Sequence, residues 1–298
     1  MPAPTAASQL TAVIGFSLPG SRLDHDESIY LTYDPSQSRP NEFIRVPMIN
    51  LREELDKPIE KHANAYEQLK KRGYAVFKHE SRFLDGIPSE EGTAKYLEES
   101  AHLLQNIVGA DRVIAWNSVC RKNTVDTDLK TVTKQQAPEK GFIPTTRLQP
   151  VAGIAHVDQN AEWGFELCGK AAGQDASTFK RVQIINLWRP LSGPVTNAPL
   201  AMLDPTTLSP ADISTHASMF GFGHDLHYSS SQQWAYIRHQ MPDEAILLKC
   251  YDSDQGKNGE VLYCGHSAAQ VDHDAEGIME EIVRPRESIE VRLVAIWE

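Results

Sequence analysis

From Asp111 to its end the chain alternates short β-rich runs with turns built on Pro, Gly and Asn, and that alternation restricts the fold more than any other feature. Runs at Arg112–Asn117, Val151–Asp158, Arg181–Trp188, Leu200–Leu203, Gln233–Arg238, Ala245–Tyr251, Glu260–Cys264 and Ser288–Trp297 predict many short strands. Such strands close into an antiparallel sandwich or barrel. Thr11–Leu18 and Ser28–Tyr33 add β-like pieces near the start, and Tyr74–His79 reads as a strand. Helical signals lie before the strand-rich part. One region spans about Leu51 to Arg72, is interrupted at Pro58 and ends at Gly73. A second starts at Ser89, whose hydroxyl can cap it, with Glu90 and Glu91 opposing the helix dipole. Leu97, Ala101, Leu104 and Val108 give it one apolar stripe, and Gly109 stops it. The predicted class is α+β, mainly β, with helices packed on one face of the strands. Nothing in the composition divides residues 1–298, so one domain is expected: 1–110 as N-terminal helical and strand support, 111–298 as β-core. Two long connections, at about 121–150 and 159–180, are expected to be lid loops.

Charge and cysteine usage exclude several functions. Lys and Arg number 29 against 40 Asp and Glu, a formal net charge of −11, whereas phosphate binding needs a basic face. No nucleic-acid partner is expected. No apolar run is long enough to span a bilayer, and the start at Met1-Pro2-Ala3-Pro4 lacks the basic and apolar regions of a secretory signal. Cys120, Cys168, Cys250 and Cys264 include no CxxC pair, which argues against a disulfide framework and a thiolate zinc site. The expected compartment is cytoplasmic, with no membrane association.

The chemistry concentrates at His156-Val157-Asp158. Residues two apart on a strand share a face, so an imidazole and a carboxylate would converge on one point. A third ligand must come from downstream. His266 is best placed, after the β-like Glu260–Cys264 run and a Gly265 that permits close backbone approach. His224, His227, His239 and His273 compete with it. Two histidines and a carboxylate form the facial set of non-haem Fe(II) oxygenases, which keeps positions open for a cosubstrate and O₂. A 2-oxo diacid also needs a cation, and a planar guanidinium suits its distal carboxylate. On the last strand Arg286, Ser288, Glu290 and Arg292 share one face by period two, with Ile289, Val291 and Leu293 on the other. Asn186, on the Arg181–Trp188 run, faces inward where it could bond the cosubstrate or another metal-bound ligand, whereas Trp188 and Trp116 are most simply core residues.

Five stretches in this order carry a resemblance: Gly73–Phe77, His156–Gln159, Ile185–Leu191 with its Asn-x-Trp-Arg-Pro, Leu248–Ser253, and Pro285–Arg292. From about residue 40 onward the chain resembles the fungal hydroxylase/desaturase group of Fe(II)/2-oxoglutarate oxygenases, which includes gibberellin desaturase-like and cephamycin methoxylation-related proteins. The resemblance implies a double-stranded β-helix (jelly roll) core with N-terminal and flanking helices. It implies Fe(II) at His156, Asp158 and His266, and 2-oxoglutarate held by Arg286 and Ser288, with Arg284 and Arg292 as alternatives for the clamp. The expected substrate is an apolar secondary metabolite, such as a terpenoid or meroterpenoid. Hydrogen abstraction from it would give hydroxylation, desaturation, ring formation or endoperoxidation. Trp163, Phe165, Phe220, Phe222 and Tyr228 would suit such a substrate, with ordinary packing as the plainer role for each. A homodimer is compatible with the sequence. The alternatives are a non-redox metal-dependent isomerase or hydrolase on the same fold, and a metal-free binding sandwich.

Overall fold

The computed structural model describes residues 10–19, 41–56, 63–87, 89–123, 148–149, 151–218, 221–254, 261–279 and 283–298. The expected Ser28–Tyr33 strand, the interruption at Pro58, Phe220, and most of the 121–150 connection lie outside them. The strands are β1 (Thr11–Ser17), β2 (Asn41–Asn50), β3 (Tyr74–Lys78), β4 (Arg112–Lys122), β5 (Leu148–Gln149), β6 (His156–Val157), β7 (Arg181–Pro190), β8 (Leu200–Leu203), β9 (Ile213–Ser218), β10 (Gly221–Leu226), β11 (Trp234–Tyr236), β12 (Glu244–Asp252), β13 (His266–Ala268), β14 (Gln270–Val271) and β15 (Glu287–Trp297). The helices are α1 (Arg52–Leu55), α2 (Ala63–Arg72), α3 (Glu90–Val108) and α4 (Ala161–Ala172).

Two sheets form. One runs β3-β12-β7-β15-β4-β5, the other β14-β1-β2-β11-β8-β13-β6-β10-β9. Almost all pairings are antiparallel, and the large sheet curls so that β1 packs beside β10 and β13, with Gly15 bridging to Ile154 just before β6. This is the double-stranded β-helix, a jelly roll closed by two facing sheets.

The long central strands explain which face points where. On β15, Ile289, Val291, Leu293 and Ala295 join Ile185 and Leu187 of β7 and Ala245 and Leu247 of β12 in one buried cluster. Leu69 of α2 and Tyr96, Leu104, Ile107 and Val108 of α3 complete it, so the helices cover the outer face of the six-stranded sheet. The α3 helix forms as its capping residues dictate: the Ser89 hydroxyl accepts from Gly92 N–H, and Gly109 adopts φ 69°, a left-handed conformation that glycine takes without strain. The inner face carries the opposite alternation. At one end Trp188 and Leu248 meet Leu200 and Met202 of the other sheet. At the other, Ile184, Val294 and Ile296 lie under Leu167 and Cys168 of α4. Between these apolar ends Asn186 and Glu290 are buried facing inward with Arg292 half-buried beside them, and Ser288 is buried with them.

The 159–180 stretch is largely helix. Asn160 caps α4 by accepting from Trp163 N–H, Glu162 sits in the first turn, Lys170 in the last, and Gly173 ends it at φ 72°. Its glycines, which suggest a loop in sequence, serve contact instead. A Cβ on Gly164 would stand 2.5 Å from the Tyr251 ring. The Glu260–Cys264 run also departs from expectation, since residues 261–265 have no strand pairing and the strand starts at His266.

Two irregularities interrupt the ladders of the six-stranded sheet. Between β12 and β7 Cys250 is the extra residue, and between β15 and β4 it is Trp116. Bulges of this kind re-aim side chains next to functional sites.

A buried ionic network ties β7 to β12. Asp252 accepts from Arg181 at 3.0 and 2.7 Å, from Gln183 at 2.7 Å and from the Lys249 ammonium at 3.1 Å. Burial alone would raise the Asp252 carboxyl; the Arg181 fork and the Lys249 charge outweigh it and hold the group low. A depressed carboxyl stabilises the fold above the usual carboxylate range and loses that contribution as pH falls through its folded value. Asp252→Asn should therefore lower stability at neutral pH by about 3–5 kcal/mol in urea unfolding, because the buried Lys249 loses its carboxylate. The gap to the wild type should narrow in acid.

Candidate metal centre and anion pocket

Strand pairing assembles the three expected ligands. His156 of β6 lies opposite His266 of β13 in an antiparallel ladder, so both side chains leave the same face. Their ring centroids stand 4.5 Å apart. Asp158 follows two residues after His156 and turns to the same side, with Oδ1 3.5 Å from His156 Nε2. One ligand atom from each of His156, Asp158 and His266 lies within 4.8 Å of the others.

Both imidazoles are held by the same device. His156 Nδ1 bonds the Ile154 carbonyl at 2.7 Å, and His266 Nδ1 bonds the Cys264 carbonyl at 3.2 Å. A carbonyl only accepts, so each Nδ1 carries a proton, and each ring in its neutral form presents the Nε2 lone pair to the shared point. Such a hydrogen bond is how proteins orient metal-binding histidines. Burial alone would lower both rings. In His156 the Asp158 hydrogen bond and charge outweigh burial and raise it, while in His266 burial and repulsion from His156 lower it. Burial would raise the Asp158 carboxyl, but Arg292, the His156 hydrogen bond and His266 hold it well below the usual range.

The competing histidines are occupied elsewhere. His227 bonds the Ser17 carbonyl at 2.7 Å, His224 stacks 5.6 Å from Tyr263, and His239 lies 3.6 Å from Glu276. His273 sits in the turn before Gly277, away from the cluster.

A small cavity opens beside the three residues and is lined also by Arg121, Trp188, Leu200, Ser267, Ala268, Arg286 and Glu290. Arg286 is buried, donates from Nη1 to the Ala198 carbonyl at 2.5 Å, and has its guanidinium 5.3 Å from the Trp188 ring centroid. Ala198 holds its carbonyl there from φ 51°, a strained position for a residue with a Cβ. Arg286 Nε and the buried Ser288 hydroxyl have no hydrogen-bond partner among the described residues. Burial, then repulsion from Arg121, pushes the Arg286 guanidinium down to about 9. A desolvated cation with an idle donor attracts a carboxylate more strongly than a solvated one does.

The alternatives for this clamp separate cleanly. Arg284 is exposed. Arg292 faces Asp158 Oδ2 at 3.9 Å and Glu290 Oε1 at 3.4 Å. Asn186 also turns to Asp158, donating from Nδ2 to Oδ2 at 2.6 Å, so both Asn186 and Arg292 face this carboxylate. The reason is register: Asn186 and Arg292 are direct cross-strand neighbours, both level with Asp158. Glu290 and Arg121 also line the cavity. The period-two pattern already groups Glu290 with Arg286, whereas Arg121 is brought there by its pairing with Ser288, which no local pattern reveals.

A family model described as "Oxidoreductase/YMDC permease-like domain" matches residues 25–296. The chain is 30% identical over 205 residues to the Fe(II)/2-oxoglutarate-dependent dioxygenase nvfI of Aspergillus novofumigatus, covering 66% of this chain and 64% of that protein, less than two thirds of its length. It is 28% identical over 229 residues to the hydroxylase/desaturase efuI of Hormonema carpetanum, covering 70% of this chain and 72% of that one. The solved iron and alpha-ketoglutarate-dependent endoperoxidase NvfI superposes with a TM-score of 0.70 at 22% identity, covering 97% of this chain and 98% of the other, which shows the same fold.

The anion pocket predicts an unusual pair of effects. Arg286→Met should leave the thermal midpoint of the protein alone unchanged or raised, because it removes a cation that burial and repulsion from Arg121 make unfavourable in the empty pocket. The same substitution should abolish the rise in midpoint that glutarate gives the wild type, read by differential scanning fluorimetry.

Proposed function

We propose that this chain, which belongs to the oxidoreductase family matched over residues 25–296, is a non-haem Fe(II)- and 2-oxoglutarate-dependent dioxygenase acting on an apolar small molecule with O₂. One observation carries the reading. The converging His156, Asp158 and His266 donors share a single cavity with a buried Arg286 whose Nε lacks a partner among the described residues. Two neutral imidazoles and a carboxylate with positions left open are the donor set of Fe(II) oxygenases, and the cation supports a cosubstrate with a second carboxylate.

When bound, the metal and cosubstrate supply the oxidising power for hydrogen abstraction, with 2-oxoglutarate leaving as succinate and CO₂. The residues of the chain supply placement. Arg286 and Ser288 grip the distal carboxylate, which sets the 2-oxo end toward the histidines. The Ile154 and Cys264 carbonyls keep both imidazoles aimed. Trp188, Leu200 and Ala268 wall the cavity with apolar surface and limit water beside the reacting group. The α4 helix and β10 present Phe165 and Phe222, each more than a third exposed, and Asn160, two residues after Asp158, bonds the Phe222 carbonyl through its N–H at 2.8 Å. Exposed aromatic surface of this kind supports an apolar substrate such as a terpenoid or meroterpenoid.

No described helix is long and apolar enough to cross a membrane. All four cysteines are free and buried, which suits a reducing compartment, and we assign the protein to the cytoplasm.

Anaerobic titration of metal-stripped protein with Fe(II) and 2-oxoglutarate tests the reading. A saturable visible charge-transfer band, absent in His156→Ala and Asp158→Ala, is the expected result. Folded wild-type protein that gives no band would overturn it and favour a non-redox metal enzyme or a binding sandwich.

A further inference from the structure

We propose that Asn186 and Arg292 are positioning residues that hold Asp158 as a one-oxygen ligand, an inference that rests on the metal-binding reading above. The two oxygens of Asp158 have different surroundings. Oδ1 points to the histidines, 3.5 Å from His156 Nε2. Oδ2 accepts the Asn186 amide at 2.6 Å and stands 3.9 Å from both Arg292 Nε and Cys250 Sγ. The Asn186 hydrogen bond and the Arg292 charge thus act on Oδ2, while Oδ1 is the oxygen beside His156.

The donors are themselves fixed. Asn186, Arg292 and Asn117 form one row across β7, β15 and β4. Both bulges fall beside that row. One puts Cys250 against Oδ2, and the other puts the Trp116 ring 5.9 Å from the Arg292 guanidinium. Glu290 holds Arg292 from the next position along β15, with Oε1 3.4 Å from Nε. Asn186 is fully buried, and its Oδ1 has no hydrogen-bond partner among the described residues. An asparagine kept only for packing would have no reason to spend its donor on Asp158 and leave its acceptor idle. Turning the amide over would set its oxygen against a carboxylate oxygen, so the donor end is the one that faces Asp158.

The consequence is a coordination number. A carboxylate free on both sides can chelate a cation through both oxygens and take one more position from the cosubstrate. With Oδ2 bonded by the Asn186 amide and drawn by the Arg292 charge 3.9 Å away, Asp158 offers Oδ1 alone, and the positions that a chelating 2-oxo acid and O₂ require stay open.

The test uses the full chain as Asn186→Ala, Arg292→Met and Arg292→Lys. Affinities for Fe(II) and then for 2-oxoglutarate are measured anaerobically, and the visible spectrum of the Co(II)-loaded protein reports its coordination. Asn186→Ala and Arg292→Met should keep the metal as tightly as the wild type, weaken 2-oxoglutarate about tenfold and change the Co(II) spectrum. Arg292→Lys should restore part of the cosubstrate affinity. Asn186→Ala leaves both ion pairs of Arg292 in place and carries the test if Arg292→Met does not fold. Metal and cosubstrate affinities falling together with the thermal midpoint, or a spectrum and cosubstrate affinity like the wild type, would overturn the proposal. Absence of the chelate band in the wild type itself would instead overturn the oxygenase reading.

Discussion

Strand β15 points its polar side inward, and much of the architecture is a response to that. Arg286, Ser288 and Glu290 are buried, and Arg292 is nearly so, on the side that faces the second sheet. Polar groups in such a place are tolerated only if they find partners. The space between the sheets therefore cannot be a uniform hydrocarbon core. The apolar side of β15 points outward instead, and would be wet if α2 and α3 did not cover it. Helices on the outside and charge on the inside are two aspects of one alternation. The apolar fill that does lie between the sheets is pushed to the two ends, around Trp188 and around Ile184.

A site built on strand rows inherits the stiffness of the ladder. His156 and His266 are neighbours because β6 and β13 are paired, and Asn186 and Arg292 because β7 and β15 are. Asp158 is where the two sheets meet. It leaves the large sheet just after β6 and is gripped by residues of the small one. The metal donors and the anion receptor consequently keep a fixed separation, which a cosubstrate spanning both would need.

What could be read in the sequence was what period two carries. His156-Val157-Asp158 shares a face because alternate residues do, and the same rule put Arg286, Ser288, Glu290 and Arg292 together. Which way that face points is not local information. A polar strand face is ordinarily solvated, and only the outer helices and the second sheet bury it here. His266 stands out less, because its claim depends on pairing with a strand more than a hundred residues earlier. The α4 helix is obscured by Gly164 and Gly169, which lower helix propensity but allow close approach to Tyr251 and to residues 174–176. Glu260–Cys264 misleads in the other direction. Its β-branched and aromatic residues suit a strand, yet the backbone of Val261 and Cys264 bonds singly to Lys70 and Lys249 rather than to a ladder.

Charge links the two halves of the site. Around the cavity and Asp158 stand Arg121, Arg286 and Arg292 against Asp158 and Glu290, inside a protein whose net charge is −11. Arg292 is matched by its two carboxylate neighbours, so the excess positive charge lies at Arg286, where burial and repulsion from Arg121 make it unfavourable. A divalent cation at the histidines would add to that excess. A dianionic 2-oxo acid would bring as much negative charge as the cation brings positive, one carboxylate near the metal and the other at Arg286. Neither guest alone leaves the interior neutral, and each improves the field that the other meets. Coupling of this kind is reciprocal. On the oxygenase reading, metal raises the affinity for the cosubstrate by the same factor as the cosubstrate raises the affinity for metal, with the arginines and carboxylates of β15 as the physical link.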